Sequence, residues 1–414
     1  MKKNLLIIAT ILCSMVLNAQ SNWQWRGENR DGVYNETGLL KEWPARGPQL
    51  LWSFEGLGEG QTSVAIANEK IYITGMHGDR LILFVFDMAG KLLSRKDIGK
   101  EWDTNWNGTR SSVCINDGKL YIFSAVGILH CLDETSLNTV WTKNLLSDFD
   151  GKNLMFGMTE NPLIVGDKIF MTPGGTKHNM VALNKNTGEL IWSSPGRGML
   201  SSYCSPLYIS DQQVPIVVTW LATAQSGSRG SPNNNELVAF HAETGELLWS
   251  IILPSQNTIN PNTPLYSDGL IFVSTGYGGG SWLLRMNNGG RAVQQVWHNP
   301  ADNCHHGYVK VGDYVYTTSQ NNVKGFHCID WKTGTTKYRE ANFAQSAMVY
   351  ADGMLYAYSE NGNMNLIKPN PDKFELVSSF RITLGTDQHW AHPVIHRGVL
   401  YIRHGNALMA YKVK

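Results

Sequence analysis

A chain of 414 residues with 35 basic and 34 acidic side chains has a formal net charge of only +1. This balance gives no electrostatic reason to expect nucleic acid or an anionic lipid surface as a partner. The length by itself would suit two or three domains.

Residues 1–20 have the pattern of a signal peptide. Two lysines give a positive start, Leu5–Leu17 forms an apolar core, and residues 18–20 are small or polar ahead of Ser21. The pattern predicts cleavage before Ser21 and export to the periplasm, with secretion outside the cell as the alternative. An uncleaved anchor is a further alternative, although the apolar run is too short to span a bilayer comfortably.

The cysteines do not predict a disulfide framework. Cys13 lies inside the apolar core of the leader and not at its end, so lipid attachment is not expected. Five cysteines follow the leader, and an odd count excludes a fully paired set. Three of them lie in predicted strands and are expected to be small core residues, namely Cys114, Cys131 and Cys328.

The segment that follows the leader, Trp23–Gly32, is unlike the rest of the chain and contains two tryptophans, an arginine pair and little apolar periodicity. We expect residues 21–49 to form an N-terminal arm that packs across the rim of the main domain through Trp23 and Trp25. An arm that plugs the centre of the domain is the alternative that the sequence leaves open.

From residue 64 onward, a segment of roughly 40–55 residues recurs about eight times. A typical copy has an apolar run, a Gly/Asp turn, an aromatic-rich strand, a loop and a strand ending in Asp or Asn, and three copies then have a Thr-Gly turn, at residues 187–188, 244–245 and 333–334. Four short strands per copy at this period predict a β-propeller. The copies begin near Val64, Ser111, Asn161, Ser205, Thr263, His306, Ser346 and Ala391.

The ends of the repeat region predict how the ring closes. We label the strands of each copy a to d, and the last copy ends at Ala407–Val413, which is its strand c. Leu50–Phe54, ahead of the first copy, has the strand d pattern and includes Trp52. It is therefore expected to complete the last blade and remove an open sheet edge. The prediction is an all-β, eight-bladed propeller of four-stranded antiparallel blades over residues 50–414, with almost no helix.

Strand d often ends in an aromatic residue, and we expect these rings to pack between neighbouring blades. The residues are Trp141, Trp192, Trp249, Trp297 and Tyr338.

Connection lengths predict which face carries function. The a-to-b and c-to-d turns are short Gly/Asp turns on one face, whereas the d-to-a and b-to-c connections are longer and lie on the opposite face. Aromatic, histidine, arginine and amide residues concentrate in the longer connections. Because functional groups tend to lie on loops carried by a rigid scaffold, a ligand site is expected on that face, around the axial funnel.

Several loop residues are candidates for ligand contact. One loop combines tryptophans, an amide and an arginine, which suits a polar planar or carbohydrate ligand, and Trp390 between two histidines could stack on a sugar or a quinone ring. The packing of Trp390 at the rim is the alternative. The predicted ligand-binding residues are Trp102, Trp106, Asn107, Arg110, Arg197, Tyr203, Asn262, His305, His306, His389, Trp390 and His392.

Two further predictions concern catalysis and metal binding. Glu160, ahead of a strand a near the expected axis, is the best single carboxylate for a catalytic base or a calcium ligand. An ion pair with Arg110 or Arg197 is the alternative. Cys304 and His306 are weak candidates for a metal site, since adjacent histidines on a strand point to opposite faces. Hydrogen-bonding histidines near the funnel are the alternative.

The repeat, with its Leu-x-Asp/Asn, Thr-Gly and Trp positions, resembles the PQQ-like (pyrroloquinoline-quinone-type) propeller repeat over nearly the whole mature chain. The family includes quinoprotein alcohol dehydrogenases and BamB-type outer-membrane assembly factors. The opening Trp-Gln-Trp-Arg-Gly and the close Leu-Tyr-Ile-Arg-His-Gly resemble exported members from Bacteroidetes. The resemblance implies PQQ with calcium as a cofactor, with Glu160 and Asn262 as stand-ins for calcium ligands. The paired cysteines of the dehydrogenases and their haem motif are absent from this sequence.

Three functions stay open from the sequence, which does not decide whether the protein is an enzyme. The first is a binding or accessory protein that holds a small polar ligand, such as a saccharide or other glycan, in the funnel. The second, implied by the resemblance, is a PQQ- or metal-dependent oxidoreductase acting on alcohols or sugars, a quinoprotein-type dehydrogenase. The third is an envelope scaffold with an envelope protein as its partner. Fold alone does not choose among them.

Overall fold

The computed structural model describes residues 23–223, 235–255 and 257–414. The predicted signal peptide and much of the long loop between strands b and c of blade 4 lie outside these ranges. The described residues form eight sheets, each with four antiparallel strands, arranged as an eight-bladed propeller. This confirms the predicted fold. No helix in the described ranges is both long and apolar enough to cross a membrane.

The first four blades follow one another along the chain, each from strand a to strand d. Their strands are Ala65–Ala67, Lys70–His77, Arg80–Asp87 and Leu92–Lys100; Cys114–Asn116, Lys119–Ser124, Ile128–Asp133 and Thr139–Asn144; Leu163–Val165, Lys168–Met171, His178–Asn184 and Leu190–Pro195; Leu207–Ile209, Ile216–Ala222, Asn235–His241 and Leu247–Ile252. Blade 4 has one extra short strand, Leu200–Ser201, paired with its strand b.

The last four blades complete the ring. Their strands are Leu265–Ser267, Leu270–Thr275, Gly280–Asn287 and Ala292–Asn299; Tyr308–Val311, Tyr314–Ser319, Gly325–Asp330 and Thr336–Glu340; Ser346–Ala351, Met354–Ser359, Asn363–Ile367 and Leu376–Arg381; Val394–His396, Val399–His404, Ala407–Lys412 and Gln49–Phe54. Among the described residues, helix is limited to Leu145–Asp148 and the 3-10 turn Asn288–Gly290.

Ring closure occurs as predicted. Gln49–Phe54 is strand d of blade 8 and pairs antiparallel with Ala407–Lys412, with Trp52 opposite Ala410 and Phe54 opposite Leu408. An N-terminal strand thereby completes the sheet formed by the C-terminal strands. The edge that strand c of blade 8 would otherwise expose is covered.

The hydrophobic core lies between the blades and not at the centre of the ring. Each cluster of buried side chains draws on neighbouring blades, for example blades 2 and 3 around Tyr121 and Met171, or blades 4 and 5 around Trp220 and Val273. Strands b and c are buried over most of their length because both faces of each sheet are covered. All five cysteines of the described residues are free and buried.

The predicted aromatic residues of strand d do join neighbouring blades, and glycine makes this contact fit. The Trp297 ring of blade 5 lies over Gly334 in the Thr-Gly turn of blade 6, where an added Cβ would lie 2.5 Å from the ring. The Trp297 indole N–H also donates to the carbonyl of Trp331 at 2.9 Å. The same contact recurs for Trp52 on Gly90, Trp141 on Gly188 and Trp192 on Gly245. Tyr338 packs in the cluster between blades 6 and 7.

The N-terminal arm does not lie across the rim, so that prediction is wrong. The Trp23 carbonyl accepts a hydrogen bond from the Ile115 amide in strand a of blade 2. Further along, Val33–Tyr34 pairs parallel with strand a of blade 7. Because strands a form the inner wall of the ring, the segment between these contacts crosses the axial channel.

Two buried arginines fix the arm in the channel. Arg26 donates to the carbonyls of Tyr308 at 2.7 Å and Met348 at 3.2 Å, on blades 6 and 7. Arg30 donates to the carbonyls of Asn161 and Pro162 at the start of blade 3. Both guanidinium groups thus satisfy carbonyls at the inner ends of the blades, where buried polar groups need partners.

Replacing Gly334 by alanine should lower the free energy of unfolding more than replacing Gly353 by alanine. Both glycines have positive φ, at +71° and +79°, so both variants carry the same backbone strain. Only the new methyl at residue 334 meets a tryptophan ring, whereas nothing lies within 4 Å of a Cβ at residue 353. We expect the two variants to differ by about 1–3 kcal/mol in urea unfolding. Equal losses would contradict the proposed fit between tryptophan and glycine.

Candidate functional site

A cavity of about 450 Å³ lies at the axis, on the face that carries the longer connections. Each of the eight blades contributes at least one residue to its wall, from the connection ahead of strand a or from the one between strands b and c. Trp25 of the arm also lines the cavity. Its aromatic residues are Trp25, Trp106, Phe156, Tyr203, Tyr277 and Trp390. Its polar residues include Gln61, Arg110, Asn161, Gln320, Gln345 and Glu360.

The structure brings about half of the predicted site residues to this cavity. Those that line it are Trp106, Arg110, Tyr203, His305, Trp390 and His392, along with the weak metal candidate Cys304. Those that do not line it are Trp102, Asn107, Glu160, Arg197, Asn262, His306 and His389.

Some predicted residues serve the loops themselves. The Trp102 indole N–H donates to Asn105 in its own loop, and its ring packs over Gly157. Arg197 pairs with Glu236 at 2.9 Å, so it is not the partner of Glu160. These contacts hold the walls of the funnel in place.

Asn262 and His389 are likewise occupied away from the cavity. The Asn262 carboxamide donates to Asn303 and to the Cys304 carbonyl, and its oxygen accepts from the Gly307 amide, all at 3.0 Å. His389 stacks on His404 with ring centroids 3.7 Å apart. Because its polar atoms are satisfied within the wall, Asn262 acts as a brace between blades 5 and 6.

Glu160 is buried behind the wall, 2% exposed, and does not form the ion pair expected with Arg110 or Arg197. One carboxylate oxygen accepts the Thr172 amide at 2.7 Å, and the other has no hydrogen-bond partner among the described residues. Desolvation raises the pKa of Glu160 to about 7, against the lowering effects of Thr172 and the Arg30 charge. A carboxyl in this state can hold a proton near neutral pH.

Three of the aromatic residues of the cavity stand on left-handed backbone. Trp106, Tyr203 and Tyr277 have φ of +45°, +68° and +56°. Such conformations are uncommon for bulky residues, and strain of this kind clusters at ligand-binding sites. Trp106 is 54% exposed, and its ring centroid lies 5.4 Å from that of Trp390 at an angle of 43°. The two indoles thus form one side of the cavity.

Glu360 connects the histidines to Trp390. One oxygen of its carboxylate is 3.0 Å from His306 Nε2, 3.8 Å from His305 Nε2 and 2.9 Å from the indole nitrogen of Trp390. Burial by itself raises the pKa of Glu360, but the hydrogen bond from His306 and the histidine charges lower it below its usual range. The sequence reasoning missed Glu360 because it directly follows strand b of blade 7, in a connection of only three residues.

The two histidines share one side of their loop, contrary to the expectation for residues on a strand. Residues 304–306 form a bend, and the rings of His305 and His306 lie 4.2 Å apart. Glu360, rather than Cys304, is the group beside His306. Burial raises the pKa of the Cys304 thiol to about 12.

The arm supplies the floor of the cavity. The Trp25 ring meets His392 edge-on with centroids 5.2 Å apart, and Arg26 donates to His392 Nδ1 at 3.0 Å. Since Nδ1 accepts, Nε2 carries the proton and donates to the His305 carbonyl at 3.3 Å. Burial, with the Arg26 charge, keeps the pKa of His392 well below its usual value. His392 is therefore a neutral, fully engaged side chain.

Fold and site together define a closed eight-bladed propeller with a ligand-sized axial funnel. A family model described as outer membrane protein assembly factor BamB matches residues 45–340. The chain belongs to this PQQ-like propeller family.

Known structures share the fold at low sequence identity. BamB from Moraxella catarrhalis is 14% identical with a TM-score of 0.61, covering 88% of this chain and 98% of that chain. A europium-containing methanol dehydrogenase is 11% identical with a TM-score of 0.69, covering 94% and 91%. At such identities the likeness shows the fold alone.

Curated relatives match over shorter regions. A quinoprotein ethanol dehydrogenase of Pseudomonas putida is 28% identical over 150 residues, which are 36% of this chain and 23% of that protein. The quinoprotein alcohol dehydrogenase PedH of Pseudomonas putida is 20% identical over 294 residues, 63% of this chain and 47% of its own length. The chain spans less than half the length of these relatives.

The stability of the Glu160→Gln variant relative to the parent protein should increase as the pH rises from acid to alkaline. The fold holds the Glu160 proton more tightly than the unfolded chain does, since its pKa rises from 4.5 to about 7. The contribution of Glu160 to the free energy of unfolding is therefore at its maximum below about pH 4.5 and is lost as the pH rises to about 7. The free energy of unfolding of the variant minus that of the parent should rise by about 3 kcal/mol between pH 4 and pH 8.

Chemical unfolding of both proteins across this pH range measures that difference. The pH dependence of the parent protein alone is not sufficient. Desolvation lowers the pKa of buried histidines such as His130 to about 4, so their contribution to stability increases with pH whereas that of Glu160 decreases. Glu101, whose pKa burial also raises to about 7, gives an independent repeat as Glu101→Gln. Parallel curves for parent and variant would show that Glu160 ionises normally.

Proposed function

We propose that this protein binds a small polar ligand with a flat ring face, of the saccharide class, in its axial funnel. The observation that carries the proposal is the pair of indoles, Trp106 and Trp390, placed beside several amide side chains. An exposed aromatic ring held on strained backbone at a cavity mouth is typical of a ligand platform.

The polar groups of the cavity suit hydroxyl recognition. Gln320 has a buried carboxamide oxygen with no hydrogen-bond partner among the described residues. The Gln61 side-chain amide donates a long hydrogen bond of 3.4 Å to Gln388. Sugar hydroxyls both donate and accept, so amides at these positions complement the apolar stacking face. The cavity volume lies within the range of roughly 300–1,000 Å³ found for small-molecule sites.

The described residues do not fit the quinone and calcium that the family resemblance implies. Glu160 and Asn262, the stand-ins for calcium ligands, lie outside the cavity, and the polar atoms of Asn262 are satisfied within the wall. Arg110, the guanidinium among the described lining residues, donates to the carbonyls of Gly108 and Asn105. A quinone with calcium would therefore not meet Glu160 and Asn262 in the cavity, and the Arg110 guanidinium there already donates to backbone carbonyls.

The compartment we propose is the cell envelope or the exterior, reached through the predicted signal peptide. The description of the matching family as an outer-membrane assembly factor supports this location.

Trp106→Ala should weaken saccharide binding by about tenfold, because one stacking surface is lost. The measurement is a titration of the protein from residue 21 onward against a panel of mono- and disaccharides, by calorimetry. Gln320→Leu should weaken the same ligand by removing an acceptor. Leu190→Ala is the matched control, since it removes a side chain of similar exposure, 46%, from the outer edge of blade 3.

The same titration can refute the proposal. Absence of saccharide binding at millimolar ligand, or equal weakening by the Leu190→Ala control, would remove it. Saturable binding of pyrroloquinoline quinone with calcium, detected by absorbance and melting temperature, would favour an oxidoreductase instead.

A second function, an envelope scaffold, is favoured by the outer edges of the blades. Large exposed apolar side chains occur on strand d of seven blades, for example Leu93, Leu190 and Leu247. An exposed apolar edge strand is a template for an added strand from another protein. The partner that fits this chemistry is an extended segment of an envelope protein.

A photocrosslinking residue at Leu93 or Leu190 tests the scaffold in the producing cells. A crosslinked envelope protein that is captured from strand d positions, and not from the short-turn position Gly166, would support strand addition. Equal capture from all positions, or none, would argue against it.

A further inference from the structure

Three potential metal ligands converge at one side of the funnel. His305, His306 and Glu360 each offer one ligand atom, a ring nitrogen or a carboxylate oxygen, and these three atoms all lie within 4.8 Å of one another. They come from two connections more than fifty residues apart, on blades 6 and 7. His305 and Glu360 line the cavity, whereas His306 lies directly behind them and is buried.

The spacing of these atoms is close to that of a bound ion. A tetrahedral zinc ion with ligand bonds of about 2.0–2.1 Å holds its ligand atoms roughly 3.4 Å apart. The carboxylate oxygen is 3.0 Å from His306 Nε2 and 3.8 Å from His305 Nε2. Only small side-chain movements are therefore needed to bring all three atoms to bonding distance.

One of the potential ligand atoms, His305 Nε2, lacks the hydrogen-bond partner that a histidine with a structural role would have. His305 Nε2 is buried and makes no hydrogen bond within the described part of the chain. An orphaned ring nitrogen is costly unless something else occupies it. The ring itself is held edge-on against Trp390, with centroids 4.8 Å apart, so its position is fixed without that nitrogen.

The surroundings hold the other two ligands in position. The His306 backbone amide donates to the Asn303 carboxamide oxygen at 3.1 Å, and Trp390 donates its indole N–H to Glu360 at 2.9 Å. Hydrogen bonds that orient the ligands are typical of built metal sites.

We propose that His305, His306 and Glu360 bind one divalent first-row transition ion of the zinc type. Two imidazoles and one carboxylate suit such an ion and leave one coordination position for water or a ligand oxygen. Metal binding does not depend on the proposed saccharide binding, because its ligands are complete without a sugar.

The test uses the protein from residue 21 onward without a polyhistidine tag, after treatment with a chelator. Titration with Zn²⁺ by calorimetry should give one ion per chain, and Co²⁺ should give visible absorption bands of a low-coordinate site. His305→Gln and Glu360→Gln should each weaken binding at least about tenfold. His298→Gln, on the outer strand of blade 5, is the matched control and should leave binding unchanged.

A measurement on the unchanged protein makes the test independent of variant folding. Diethylpyrocarbonate modifies exposed neutral imidazoles, and the His305 side chain is 27% exposed. Zn²⁺ should protect His305 from modification, as followed by mass spectrometry, while His298 stays reactive. No saturable binding of either ion at micromolar concentration, or no protection of His305, would overturn the proposal. Saccharide titration of the metal-free protein then reports separately on the proposed function.

Discussion

The propeller is held together by one repeated contact, in which a tryptophan side chain of one blade packs against a glycine turn of the next blade. A four-stranded blade cannot bury both of its faces alone, so stability comes from the contact between neighbours. The tryptophan of one strand d covers the Thr-Gly turn of the next blade and donates its indole proton to a carbonyl there, as Trp297 does on Gly334. Glycine is required twice at that turn, for its positive φ and for the space that the ring occupies. The contact of Trp52 on Gly90 extends the same rule across the closure.

The site follows from how the ring and the arm divide the axis. The arm crosses the channel and is held there by Arg26 and Arg30, so the cavity has a floor instead of opening into a pore. The loops above that floor differ in length, which places aromatic rings and amides from different blades around one cavity. The residues that hold the blades together are therefore different from those that line the cavity. The tryptophans that join the blades lie on the outer strands d, whereas the cavity is formed by connections around the axis.

Much of the fold could be predicted because its signals are local and repeated. Aromatic-rich strands recur from copy to copy, Thr-Gly turns recur in three copies, and the segment around Trp52 has the same pattern as the other strands d. The site was less predictable because its contacts join distant connections. Glu360 lies in a connection of only three residues, whereas the prediction considered the longer connections. A bend at residues 304–306 places the side chains of His305 and His306 on the same side of their loop. The path of the arm depends on backbone carbonyls of several blades, which carry no sequence signature.

Closure by Gln49–Phe54 also sets an order of events for the folding chain. This strand precedes all eight repeats, and its partner strand Ala407–Lys412 lies in the eighth repeat, so the sheet of blade 8 forms only after the intervening blades have been synthesised. Until then the first blade has no neighbour on one side, and the arm has no complete channel to occupy. A long-range contact of this kind makes folding slow and leaves apolar edges exposed meanwhile. Until Ala407–Lys412 is available for pairing, the nascent chain would thus be a natural client for chaperones.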